Sequence, residues 1–250
     1  MKKPYLKKFC KISIFNVWIV AGNFIRKNID EEFTNFGQHH RFKFIPKNEF
    51  WIDKEYGKGN EKKYFIDHML VENRLMKKGI SYVEASDKAD KIEKSERSKS
   101  KLISKLIKNK LEVKKEIYLK LLKSNKRIKI WLVNGNLVRS LFFIDFVQGG
   151  HDKIYHFIPK NEIWIDDDVN PKERKFVLLH ELFERNLMCK GWSYEENRKK
   201  FISSLKEYIS HKKPKLAHWA ASEIECYYRH HPKRIDKKIF QELKNSTQNL

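Results

Sequence analysis

The sequence reads as an α+β protein built from two tandem repeats, each a small antiparallel sheet followed by helices, joined by a basic helical segment. Three observations carry this reading. The first is internal duplication. Val17–Lys27 (VWIVAGNFIRK) returns as Ile130–Ser140 (IWLVNGNLVRS), and Arg41–Asp53 returns as Ile154–Asp166 in the same register with no gap. Phe65–Tyr82 then returns as Val177–Tyr194 with one residue of slippage, so order and spacing together mark a duplication. The second is that alternating, β-branched runs open each copy and apolar residues at helical spacing close it. The third is size: 250 residues suit two domains, since domains usually span roughly 100–200 residues.

Each element has its own signal. Arg127–Val133 alternates, Asn134-Gly135-Asn136 supplies a turn, and an apolar run resumes at Leu137, which predicts a hairpin. Ile154–Pro159 and Glu162–Asp166 read as short strands flanking a Pro/Asn turn. Gly149 and Gly150 read as a turn between strands. Asn170-Pro171 opens a helix that runs through Phe176, Val177, Leu178, Leu182, Leu187 and Met188, and Lys190-Gly191 closes it. Between the copies, Lys94–Arg127 is strongly basic, with Leu102, Ile103, Leu106, Ile107, Leu111, Ile117, Leu121 and Leu122 near helical period. The domain limits that follow are 1–97 for the first repeat, 98–128 for the helical linker, 129–243 for the second repeat and 244–250 for a polar tail. The Lys-rich start has the outline of a targeting segment, but Asn16–Gly22 corresponds to the internal strand Lys129–Gly135, so a folded element is expected there.

Composition excludes a disordered or acidic solvating chain. Hydrophobic residues make up 40% and aromatics 13%, enough for a core. Lys and Arg exceed Asp and Glu by 54 to 32, a formal charge of +22, which leaves nucleic acid open as a partner without selecting it. Three cysteines with no close spacing provide neither a disulfide framework nor an all-cysteine metal site, and suit a reducing, cytoplasmic setting. No apolar run reaches the roughly 20 residues of a membrane-spanning helix, so no membrane partner is expected.

The residues able to do chemistry gather in the second copy, in IWIDDDVNPKERKFVLLHELFER. His180 and Glu184 lie four apart on a helix and so share a face from which both can reach one cation. A strand, an acidic turn, Asn-Pro and a helix opening into His-Glu together resemble the zincin-like metallopeptidases of the ImmA/IrrE type. The resemblance covers about thirty residues around His180. It implies a zinc ion, with His180 as ligand and Glu181 as general base, acting on a protein or peptide substrate. Where that family carries a second His in H-E-x-x-H, this chain has Glu184, which would ligate in its place.

A third ligand should come from a later helix. KLAHWAASEIECYYR supplies His218 as the candidate, and Glu225, two turns on, would be a carboxylate behind the ligands or an alternative ligand. Glu84–Glu93 of the first copy can be matched to Leu216–Glu225, which makes Glu195–Lys215 an insertion and sets Ser86 opposite His218. An ungapped match sets Ser86 opposite Arg198 instead. The first copy keeps His68 and Glu72 but has Met69 at the Glu181 position, so it is read as non-catalytic. His151 could border the cleft. Asp166, Asp167 and Asp168 sit where Asp caps are routine, and Trp51 and Trp164 read as core.

Two function classes follow. One is a zinc-dependent hydrolase, most plausibly a peptidase, with its site in the second repeat. The other is a non-enzymatic basic binding module for nucleic acid or a macromolecular assembly, in which His180 merely hydrogen-bonds to Glu184 or Glu225. Its contacts would be Tyr227, Tyr228, Arg229, Lys233 and Arg234, a basic and aromatic cluster after the His218 helix.

Overall fold

The computed structural model describes residues 4–56, 61–194 and 216–248; the Glu195–Lys215 insertion lies outside them. Two four-stranded sheets, each followed by helices, make the chain α+β. The first sheet has β1 (Tyr5–Ile12), β2 (Phe15–Val20), β3 (Phe36–Gln38) and β4 (Glu49–Asp53), in the order β1-β2-β4-β3. The helices α1 (Gly22–Asn28), α2 (Glu61–Lys77), α3 (Tyr82–Ser98), α4 (Lys101–Lys108) and α5 (Lys110–Ile117) accompany it. The second sheet has β5 (Tyr118–Ser124), β6 (Lys129–Val133), β7 (Gly149–His151) and β8 (Glu162–Asp166), in the order β5-β6-β8-β7. The helices that follow β6 in chain order are α6 (Gly135–Leu141), α7 (Arg174–Cys189), α8 (Ala217–His230) and α9 (Ile235–Gln248).

The sheets are mostly antiparallel, with one parallel pair in the first: β2 runs alongside β4 with Trp18 opposite Trp51. The register of β3 on β4 is the same as that of β7 on β8. Gly37 faces Trp51 and Gln38 faces Phe50 in the first, while Gly150 faces Trp164 and His151 faces Ile163 in the second.

Several local expectations are corrected. Asn134-Gly135-Asn136 does not turn a hairpin but starts α6, because the Asn134 side chain accepts from Leu137 N (3.1 Å) and caps the helix. Gly149 and Gly150 are strand residues of β7 rather than a turn. A Cβ at Gly149 would lie 3.0 Å from the Trp164 carbonyl oxygen and 3.2 Å from Glu181 Cγ, so glycine there lets α7 approach the strand. Ile154–Pro159 forms turns and only Glu162–Asp166 pairs as a strand. The basic segment is helical through Ile117 but then becomes the edge strand β5. Pro171 stands in a turn ahead of α7, which begins at Arg174. The end of α7 falls as expected: Gly191 adopts φ +85°, and Trp192 N donates to Leu187 O (3.1 Å). The polar C-terminal residues continue α9 to Gln248, and Ser246 Oγ donates to Asn186 Oδ1 of α7 (2.7 Å).

The chain divides into two compact units. One comprises Met1–Leu119, Val133–Gln148 and Asp166–Asn170; the other comprises Lys120–Leu132, Gly149–Ile165 and Pro171–Leu250. In the first unit Val20, Ile25, Phe33, Phe42, Ile45 and Trp51 cluster in the core. Trp51 and Trp164 are both buried, their indole N–H groups donating to Glu49 and Glu162, as a core role requires. Arg139 is buried in the first unit, where it pairs with Glu61, Asp166 and Asp168 and donates to the Phe146 carbonyl. Among the described residues no helix is long and apolar enough to cross a membrane.

Candidate metal centre

In the second unit, α7 carries His180, Glu181 and Glu184 on its buried side. Helix α8 packs against α7 and brings His218 and Glu225 to the same place. His180 Nε2 lies 3.3 Å from His218 Nδ1 and 3.5 Å from Glu184 Oε2, while His218 Nδ1 lies 3.4 Å from Glu184 Oε1. One donor atom from each of the three fits within 4.8 Å of the others, so the group could hold a metal ion. A second such group, His151, Glu181 and Glu184, shares Glu184 with the first. His151 Nε2 stands 3.7 Å from Glu184 Oε2, and among the described residues neither it nor Glu184 Oε1 has a hydrogen-bond partner.

Behind the donors runs a chain of buried charges. Glu225 Oε2 sits 2.9 Å from His180 Nδ1, which leaves Nε2 directed at the other donors. Arg229 holds Glu225 in turn (2.6 Å) and is itself bonded by Glu173. Glu225 thus stands on the far side of the His180 ring from the gathered donor atoms. Arg229, considered above as a nucleic-acid contact, is buried and committed to these two carboxylates.

The electrostatics follow from packing three carboxylates together. Burial, then the charge of Glu184, pushes Glu181 up to about 8. Burial also opposes ionisation of Glu184, but the imidazoles of His151, His180 and His218 gathered around its carboxylate outweigh it and hold its pKa low. Burial resists charge on Glu225 too, yet His180 and Arg229 bring it down to about 2. Burial disfavours the His180 imidazolium, and the carboxylates of Glu184 and Glu225 outweigh it, raising that pKa well above its ordinary value. His151, shut away from solvent, is shifted the other way, because burial disfavours its charged form. The cluster therefore wants positive charge between its carboxylates. A proton on His180 meets that need, and a divalent cation would meet it as well.

The first repeat reproduces the frame of this site and keeps His68 and Glu72, but not the other residues around them. His68 Nδ1 pairs with Glu93 (2.9 Å), Arg97 with Glu93 (2.7 Å), and Arg97 also with Glu61. The series Glu61, His68, Glu93, Arg97 thus repeats the roles of Glu173, His180, Glu225 and Arg229, as the gapped match of the two copies requires. Met69, fully buried, stands in place of Glu181, and the same match sets Ser86 in place of His218. Gln38 takes the sheet position of His151 and donates to Glu72 Oε2 (2.8 Å).

Sequence reasoning did not foresee Glu173, Arg229 or Gln38 as partners of the site. The signal was present as a shared E-x-x-x-R spacing, Glu93 to Arg97 and Glu225 to Arg229.

The remaining candidates fall elsewhere. Asp166, Asp167 and Asp168 also group closely enough for a cation. However, Arg139 neutralises Asp166 and Asp168, and Asp167 accepts from Gly135 N (3.0 Å) at the start of α6. Tyr227 is 52% exposed and stacks on His231 (4.4 Å), with Tyr228 half-buried and Lys233 and Arg234 exposed nearby in sequence. Searches against family models, characterised proteins and solved structures return no match to this chain.

Proposed function

We propose that the second repeat is a zinc-dependent hydrolase whose substrate is a peptide bond. The observation that carries this reading is the gathering of His180 Nε2 and His218 Nδ1, 3.3 Å apart, with the Glu184 carboxylate between them, its Oε2 3.5 Å from the first nitrogen and its Oε1 3.4 Å from the second. Ligands at about 2.1 Å around a tetrahedral zinc stand about 3.4 Å apart, so the donor set fits that ion, and three protein ligands leave a fourth position open. Bound zinc supplies Lewis-acid polarisation of a carbonyl and lowers the pKa of water.

The chain's own residues do the rest. Glu225 orients His180 through Nδ1, and Arg229 steadies Glu225. Glu181 follows His180 directly in α7 and belongs to the group that includes Glu184. It is suited to accept the proton of the attacking water and return it to the leaving amine. His218, a third exposed at its side chain, marks the mouth through which a substrate would enter.

Elemental analysis of untagged protein tests the reading. One equivalent of zinc is expected in the wild type and none in His180→Ala. Glu181→Gln should keep the metal and lose cleavage of a labelled, unfolded protein substrate by about 100-fold or more. A wild-type chain that folds without metal, or unchanged cleavage by Glu181→Gln, overturns it.

A second reading rests on the exposed Tyr227–His231 stack beside Lys233 and Arg234. It expects binding of single-stranded nucleic acid that weakens steeply with salt and is indifferent to Glu181→Gln.

A further inference from the structure

The geometry points to His151 as a positioning residue that donates its Nε2–H to Glu184, holding one carboxylate oxygen so that the other is offered to the cation. This inference rests on the metal reading above. Three observations on different atoms support it.

The first fixes the tautomer. Lys153 N donates to His151 Nδ1 (3.2 Å), so that nitrogen uses its lone pair as an acceptor. In the neutral ring the proton is then on Nε2, and a protonated nitrogen does not ligate a metal. The second concerns what Nε2 can reach. It is buried and has no hydrogen-bond partner among the described residues, a costly condition for an N–H, and Glu184 Oε2 stands 3.7 Å away. The third comes from the other repeat. Gln38 occupies the same register position in its sheet, opposite the residue that precedes the buried Trp. Its amide donates to Glu72, the counterpart of Glu184, at 2.8 Å. An amide nitrogen is not a metal ligand. What the two copies share at this position is an N–H aimed at the helix glutamate, and a small turn of the Glu184 carboxylate closes the wider gap in the second.

This assignment accounts for a carboxylate where H-E-x-x-H has its second histidine. Glu184 presents two oxygens. Oε2 stands 3.7 Å from the sheet donor and 3.5 Å from His180 Nε2, and Oε1, which has no hydrogen-bond partner among the described residues, faces His218 Nδ1 at 3.4 Å. A neutral histidine ligating through one nitrogen would leave the His151 N–H without an acceptor.

The test uses the full chain stripped by chelator and titrated with Co²⁺, followed by visible absorption, with thermal unfolding of each metal-free variant alongside. His151→Gln restores the donor of the first repeat and should bind within a few-fold of wild type with the same spectrum. His151→Leu removes the donor and should weaken Co²⁺ binding by about 10–100-fold. If His151→Gln loses Co²⁺ as completely as His180→Ala does, His151 is a ligand and the inference fails. If His151→Leu binds like wild type, the donor has no role and it fails too. A wild-type chain that takes up no Co²⁺ overturns the metal reading itself, and this inference with it.

Discussion

At the scale of single residues, the two histidines that open the chemistry of each helix behave alike in spite of their different surroundings. His68 is buried against Glu93, and burial disfavours its charged form; the Glu93 carboxylate outweighs that and raises its pKa above the ordinary 6.5. Glu93, opposed by burial but bonded by His68 and Arg97, moves below its ordinary 4.5. A raised histidine stabilises fully below its unfolded pKa and loses that contribution as pH climbs through the folded value. A depressed carboxylate stabilises above its unfolded pKa and loses that as pH falls through the folded value. The pair therefore contributes most between 4.5 and 6.5. His68→Gln should destabilise by about 3 kcal/mol in that window. The deficit relative to wild type should shrink in chemical-denaturation curves taken well above it. A deficit that is flat with pH would mean that His68 acts by shape and not by charge.

At the scale of elements, the helix that carries the donors was legible in advance and the strand beneath it was not. Helix α7 announces itself through apolar residues at helical spacing and the Lys190-Gly191 stop. His180 and Glu184 on one face follow from that period alone. Strand β7 consists of Gly149, Gly150 and His151. Two glycines carry no β signal, so the segment looks like a turn until its partner β8 is known. The same physics hid β1 and β5, whose lysines and exposed faces give no alternation of apolar and polar residues. Asn134 misled in the opposite direction, because Asn-Gly favours both hairpin turns and helix starts, and the cap to Leu137 decides between them. Gly149→Ala tests how closely β7 and α7 must approach. Its Cβ meets the Trp164 carbonyl, Val177 and Glu181, so a loss of about 1–3 kcal/mol in thermal unfolding is expected. Metal affinity should fall with it as Glu181 and its helix are displaced. Unchanged stability would show that the contact relaxes freely.

At the scale of the whole molecule, the duplication was readable from sequence, whereas the buried charge that organises the first compact unit was not. Arg139 belongs to the second repeat, yet its guanidinium meets Glu61 of α2 as well as Asp166 and Asp168. Nothing in the spacing of two distant segments announces such a pairing, since it depends on where the chain brings them. Its equivalent Arg26 pairs with Asp53 and donates to Phe33 O. Arg139→Met should cost about 3–5 kcal/mol, because Glu61, Asp166 and Asp168 would be left as buried carboxylates without their cation. Circular dichroism melts of Arg139→Met and Arg139→Lys would measure it. A melt within about 0.5 kcal/mol of wild type would assign those carboxylates to solvent or to protonated forms.

The relay of histidine, glutamate, arginine and glutamate is present in both repeats, though only the second surrounds it with His218 and Glu181. What the copies inherited in common is thus the foundation of the site, and what separates them is a handful of exchanges laid over it. A relay kept where Met69 and Ser86 replace Glu181 and His218 holds buried charges together in the first repeat as well. Under the proposed function, activity could therefore be lost or gained without rebuilding the architecture beneath it.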